Sequence, residues 1–234
     1  MVTAFAAQGA SVVVASRKLA NCEQVAEEIR AEHGVPALPL GLHVGRWDDL
    51  DAAVERIHDE FGRIDVLVNN AGMAPLYGSL ADVSEELFDK TIGVNLKGPF
   101  RLSALVADRM AAGDGGAIVN ISSFAAGRPS ANDIPYAAAK AGLDALTKGF
   151  AAVYGPRVRV NGIAVGPFLT DISESWDLEP FEAWARDRFA LQRLGQPDEI
   201  VGTVLYLASD ASSFTTGAII PVDGGVAISS PFPG

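Results

Sequence analysis

Tyr136 and Lys140 lie four residues apart in the helical pattern "PYAAAKAG" (135–142), a spacing that stacks both side chains on one helix face. A phenol with an ordinary pKa near 10 is a poor base at neutral pH, and a neighbouring ammonium favours the phenolate. Such a tyrosine can exchange a proton with a carbonyl or hydroxyl group; an ordinary amphipathic helix carries the same pair without chemistry. Ser123, thirteen residues upstream at the end of "AIVNISS" (117–123), can hydrogen-bond a substrate oxygen or simply end a strand. Asn95, in "VNLKGPF" (94–100), has poor helix propensity within a helical stretch. It either bonds the backbone and holds a water near Lys140 or caps a helix segment. The glycine of "NNAG" (69–72) permits close backbone approach to a ligand or makes a plain turn.

Positioning these groups requires a framework, and the chain supplies one by alternation. Short β-branched runs, "SVVVAS" (11–16), "ALPLGLHV" (37–44), "IDVLVNN" (64–70), "GAIVNISS" (116–123), "VRVNGIAV" (158–165) and "GAIIPVDG" (217–224), have the pattern of strands buried on both faces. Amphipathic stretches lie between them. "ANCEQVAEEIRAEH" (20–33) has apolar positions at Cys22, Val25, Ala26 and Ile29, and "DLDAAVERIHDEF" (49–61) has them at Leu50, Val54, Ile57 and Phe61. Strands alternating with helices, without hairpin signals, predict a doubly wound α/β fold with a parallel sheet, as one domain over 1–234. Ligands of such sheets bind beyond the carboxyl ends of the strands, where the residues above fall.

Composition narrows the class further. A length of 234 residues with 49% hydrophobic and 20% charged residues is that of an ordinary globular chain. The net charge of −11 is spread along the chain and argues against nucleic acid or an anionic membrane as partner. One cysteine, Cys22, cannot form an internal disulfide, which fits the cytoplasm. Three scattered histidines offer no metal-ligand spacing, and Ser123 is not in the Gly-x-Ser-x-Gly elbow of a serine hydrolase.

In their order, "NNAG", Asn95, Ser123, Tyr136-x-x-x-Lys140, "VNGIAVGPFLTDI" (160–172) and "VDGG" (222–225) resemble the short-chain dehydrogenase/reductase family over essentially the whole chain. The resemblance implies a nicotinamide-dependent oxidoreductase with a Rossmann-type fold, interconverting a carbonyl and an alcohol on a small molecule. It implies that Tyr136 transfers the proton, Ser123 orients the carbonyl, and Lys140 lowers the Tyr136 pKa and bonds the nicotinamide ribose. Asn95 would hold a relay water. Asn70, Ala71 and Gly72 would line the adenosine side, and Val165, Gly166 and Thr170 would meet the carboxamide. The family usually has proline before that glycine, whereas this chain has Val165-Gly166-Pro167. The resemblance further implies a homo-oligomer, tetramer or dimer, to which "VAISSPFPG" (226–234) would contribute, and a substrate lid at about 171–195 containing Trp176, Phe181, Trp184 and Phe189.

A carboxylate after the second strand of a dinucleotide fold selects NAD, and a basic residue there accommodates the extra phosphate of NADP. Ser16 and Arg17 occupy that point, which favours NADP over NAD. His43 stands where the family often has an aspartate near adenine, with Val44 beside it as a further cofactor contact.

The opening "MVTAFAAQGASVVVASRK" (1–18) puts its positive charge after the apolar run, contrary to a secretion signal. Against the family pattern it reads as the end of a first crossover helix, a glycine turn and the second strand. The expectation is therefore of a fold lacking the first strand and the glycine-rich loop, with Met1 an internal methionine or misplaced start of a longer chain. Gly113-Asp114-Gly115-Gly116 does not replace that loop, since it leads into a strand. A catalytically silent member kept for assembly is the rival reading on this ground.

Overall fold

The computed structural model describes residues 1–170 and 178–228. All six apolar runs are strands: β1 (Val12–Ser16), β2 (Ala37–Gly41), β3 (Val66–Asn69), β4 (Gly116–Ser123), β5 (Val158–Val165) and β6 (Ile219–Val222). Every pairing is parallel, so within each sheet the strands' carboxyl ends share one edge.

The helices cover both faces. On one side α3 (Trp47–Phe61), α5 (Gly98–Ala112) and α6 (Ile134–Tyr154) bury Val54, Val106, Met110 and Phe150 against Ile118 and Val160. On the other, α8 (Val201–Ala208) buries Val204 and Leu207 against Val119, Ile121 and Ile163. Successive residues of β4 thus feed opposite cores, as the period of two requires. This is the doubly wound α/β arrangement expected from the sequence.

Two sheets result, β1-β2 and β3-β4-β5-β6. The break between β1 and β3 falls where the resemblance puts a further strand, and side chains span it. The short helix α1 (Val2–Ala7) and α2 (Leu19–His33) pack on β1, and Phe5 of α1 also contacts the cluster under β4 and β5. Gly9, at φ +84°, makes the turn from α1 toward β1 that a side chain resists.

Candidate active site

β4 runs beyond β3, whose last pair is Asn69 with Asn120. Its final residue, Ser123, therefore projects past the β3 edge while still pairing with Val165 of β5. A buried polar seam locks this region. Asn69 Nδ2 donates to Ser103 Oγ (3.0 Å) and Asn120 Oδ1 (2.8 Å), and Asn120 Nδ2 donates to Thr147 Oγ1 at 2.9 Å. With its donors paired, the seam fixes α5 and α6 on the strands that carry the site.

α6 starts with Pro135 in its first turn, where the missing N–H costs nothing. Its run of alanines lets it lie close to β4, and Tyr136 and Lys140 leave it on one flank. Lys140 is 3% exposed and its Nζ donates to the Ile121 carbonyl at 2.7 Å. The ammonium lies 5.7 Å from the Tyr136 ring centre. Burial pulls Lys140 down to about 8, opposed by the Asp144 charge.

Tyr136 departs from the sequence expectation. Burial, the largest effect, raises its pKa; the Ser123 hydroxyl opposes this, and Asp133 adds to the rise. The expected lowering by Lys140 is not what dominates, because loss of hydration disfavours the phenolate more than the neighbouring groups favour it. Tyr136 is therefore a phenol at neutral pH. Ser123 Oγ accepts from the Ala125 N–H at 3.2 Å, which leaves its own hydrogen for another acceptor.

Asn95 sits fully buried in a π-helical turn over Gly93–Lys97, between α4 (Glu85–Ile92) and α5. Single π turns inside helices re-aim a side chain. Asn95 Oδ1 accepts from Met73 N–H (3.2 Å), while Nδ2 donates to the carbonyls of Met73 (2.8 Å) and Thr91 (2.9 Å). Of the two readings open from sequence, backbone bonding is the one seen. A Cβ on Gly72 would stand 3.2 Å from Asn95 Oδ1 and 3.8 Å from Lys140 Nζ. Asn95, Lys140 and the "NNAG" loop thus converge on one point. Tyr77, missed in the sequence, ties that loop to α6: its hydroxyl donates to the Ala131 carbonyl and accepts from the Ile134 N–H, both at 3.0 Å.

The remaining candidates follow the ends of β1, β2, β3 and β5. Asn70, Ala71 and Gly72 are exposed after β3, and Ser16 and Arg17 are exposed at the end of β1. Ser16 Oγ lies 3.2 Å from Cys22 Sγ, and Arg17 has no ion-pair partner among the described residues. His43 Nδ1 accepts from Gly45 N–H at 3.2 Å, and the Val44 carbonyl packs against Gly98 so closely that a Cβ there would collide with it. Gly166 N–H donates to the Val222 carbonyl at 3.0 Å. The Val165-Gly166-Pro167 departure is followed by a parallel bridge between Phe168 and Gly195, and Thr170 is exposed at the end of the first described stretch.

Of the expected lid, residues 171–177, with Trp176, lie outside the described residues, as do 229–234 of the terminal segment. Past that gap α7 (Leu178–Arg188) carries Trp184, edge-to-face with Phe181 at 6.3 Å and Phe189 at 4.9 Å. Phe189 is buried in a small cluster with Ala185, Leu194 and Val226. Arg193 grips Glu199 through two bonds of 2.7 and 2.6 Å, and Arg186 and Arg188 pair with Glu182 and Asp187.

A family model described as enoyl-(acyl carrier protein) reductase matches residues 1–227. The chain belongs to the short-chain dehydrogenase/reductase family. It is 37% identical over 223 residues to human dehydrogenase/reductase SDR family member 4, covering 94% of this chain and 80% of that protein. This short-chain dehydrogenase/reductase also superposes on solved structures of the family. One is a gluconate 5-dehydrogenase from Burkholderia cenocepacia J2315 in complex with NADP and tartrate (TM-score 0.91, 32% identity, 98% of this chain and 90% of that one). Another is a 7α-hydroxysteroid dehydrogenase complexed with NADH and 7-oxo glycochenodeoxycholic acid (TM-score 0.90, 34% identity, 96% and 87%). The family and fold expected from the sequence are thus borne out, and the relatives are dehydrogenases and reductases. Among the described residues no helix is long and apolar enough to cross a membrane.

Proposed function

We propose that this short-chain dehydrogenase/reductase reduces a small carbonyl compound with NADPH, using Tyr136 as the general acid. The observation that carries the reading is the convergence of Asn95, Lys140 and the Gly72 backbone beside the Tyr136–Ser123 pair. A dinucleotide fits these residues. Gly72 leaves open the space a side chain would fill, the Asn70–Gly72 residues are exposed, and Arg17, without an ion-pair partner among the described residues, offers its guanidinium at the end of β1 for a 2′-phosphate. His43, Val44, Val165, Gly166 and Thr170 complete the cofactor side. When bound, the nicotinamide supplies the hydride.

The chain's own groups do the rest. The Ser123 hydroxyl donates to the substrate carbonyl oxygen, which can only accept, while Ala125 N–H holds Ser123 Oγ in place. The Tyr136 hydroxyl, kept protonated by burial, donates its proton to the same oxygen as charge develops there. Lys140, positively charged below about pH 8, favours the phenolate left behind. Asn95 holds the 72–73 backbone and, with it, the water expected to return a proton. Residues 1–234 act as one dinucleotide-binding domain, with 171–195 as lid and the Phe181–Trp184 pair as an apolar wall.

Fluorescence titration with NADPH and NADH tests the reading: NADPH is expected to bind more tightly, and Tyr136→Phe to abolish NADPH consumption over a panel of simple aldehydes and ketones while retaining cofactor affinity. Absence of binding by either dinucleotide overturns it and favours the silent, assembly-only reading, for which the broken sheet between β1 and β3 is the observation. Light scattering tests the proposed dimer or tetramer, for which exposed Val153 and Phe214 offer apolar surface.

A further inference from the structure

Asp144 follows Lys140 by one turn of α6, so both side chains leave the helix on the same flank. Its side chain is partly buried, and its Oδ1 has no hydrogen-bond partner among the described residues. A buried carboxylate oxygen left without a donor is costly unless its charge is used nearby. Ser122 of β4, itself buried, lies against both residues. Its single O–H faces two acceptors, the Lys140 backbone carbonyl at 3.5 Å and the Asp144 carboxylate, which it favours.

Among the described residues, few charged groups face Lys140. From α6 come Asp144 and, a further turn on, Lys148, which is exposed. Asp133, at the start of α6, acts on Tyr136. From β4 come the neutral Ser122 and Ser123 hydroxyls and the Ile121 carbonyl, from the π turn the neutral Asn95, and from the Gly72 loop only backbone. Burial works against the Lys140 ammonium, and the Asp144 charge supports it. Burial likewise raises Asp144, which Ser122, Lys148 and Lys140 oppose.

We propose that Asp144, steadied by Ser122, is a positioning residue for the reaction assigned above: its carboxylate favours the Lys140 ammonium and extends its protonation to higher pH. The inference rests on the oxidoreductase reading of Tyr136 and Lys140 for its meaning. Its direct consequence needs neither cofactor nor substrate. The chain has five lysines, so 13Cε-lysine labelling gives a small set of resonances, with that of Lys140 assigned by its loss in Lys140→Arg.

A pH titration of that resonance is the test. Asp144→Asn, close in shape, is expected to lower the Lys140 midpoint by about half a pH unit or more, and Asp144→Glu to restore part of the shift. Where Asp144→Asn does not fold, the wild-type protein answers instead: its Lys140 resonance must show a second, smaller step at the pH where the Asp144 carboxyl titrates. An unchanged midpoint in Asp144→Asn, or no second step in the wild type, overturns the proposal. Failure of the oxidoreductase reading shows up separately, as absent dinucleotide binding, while the Lys140 titration remains measurable. In an active enzyme, the alkaline limb of the kcat profile should move with the Lys140 midpoint.

Discussion

Asn95 holds the backbone of Met73 at both polar ends, accepting from its N–H at 3.2 Å and donating to its carbonyl at 2.8 Å. One side chain on a π turn thereby fixes the loop that follows β3. Asn95→Ala leaves the part-buried N–H and carbonyl of Met73 and the buried Thr91 carbonyl without that partner, and is expected to cost about 1–3 kcal/mol. Urea denaturation reads the loss, and NADPH affinity should fall with it. An unchanged midpoint would remove Asn95 from the architecture of the loop.

Arg17 is the proposed selector of NADP. Arg17→Ala should weaken NADPH binding by about tenfold or more, the worth of a charge-assisted contact, and leave NADH binding nearly unchanged. Paired fluorescence titrations at fixed ionic strength compare them, and equal losses for both cofactors would assign Arg17 to the adenine side.

Lys140 gives stability a pH dependence. Its pKa falls from 10.5 to about 8 on burial, so below about pH 8 the folded state bears the full penalty of a buried charge. Between about 8 and 10.5 the unfolded chain binds a proton that the folded state has released, and stability rises with pH. Lys140→Met should therefore stabilise the fold near pH 7 by on the order of 1–3 kcal/mol, an advantage that shrinks as pH rises toward 10.5. Urea midpoints near pH 7 and pH 10 measure this, and a variant less stable than wild type near pH 7 contradicts it.

Two glycines should respond oppositely to alanine. A Cβ on Gly98 would collide with the Val44 backbone, so Gly98→Ala must displace the β2 loop, at a cost of about 1–3 kcal/mol. Gly149, exposed on α6 with nothing within 4 Å of a Cβ, should gain about 0.5–1 kcal/mol as alanine. Thermal melts of the two variants, run side by side, should move in opposite directions.

The strands and the paired Tyr136 and Lys140 were legible in the sequence because burial on both faces leaves a run such as "AIVNIS" and helical spacing sets side chains on one flank. The π turn at Asn95 was not, because it arises where Gly93 and Gly98 let the helix approach the loop at Val44 and Gly45, a contact distant in sequence. Nor was the direction of the Tyr136 pKa, which depends on how much water the packed groups remove. The polar seam from Asn69 to Thr147 joins residues that, taken singly, are only polar letters in apolar runs. Asp144 is likewise a single polar letter on a helix until its neighbours on β4 are known.

The bridge between Phe168 and Gly195 joins the chain to itself at the two ends of the segment between them. With its ends already fastened together, this segment can change length at little cost in closure, about 0.6 kcal/mol for each doubling, provided that the Ala185, Phe189 and Leu194 anchor on Val226 is kept. Under the proposed lid role, exchanging the part of this segment outside that anchor is the way to alter substrate preference while Ser123, Tyr136 and Lys140 on β4 and α6 stay as they are.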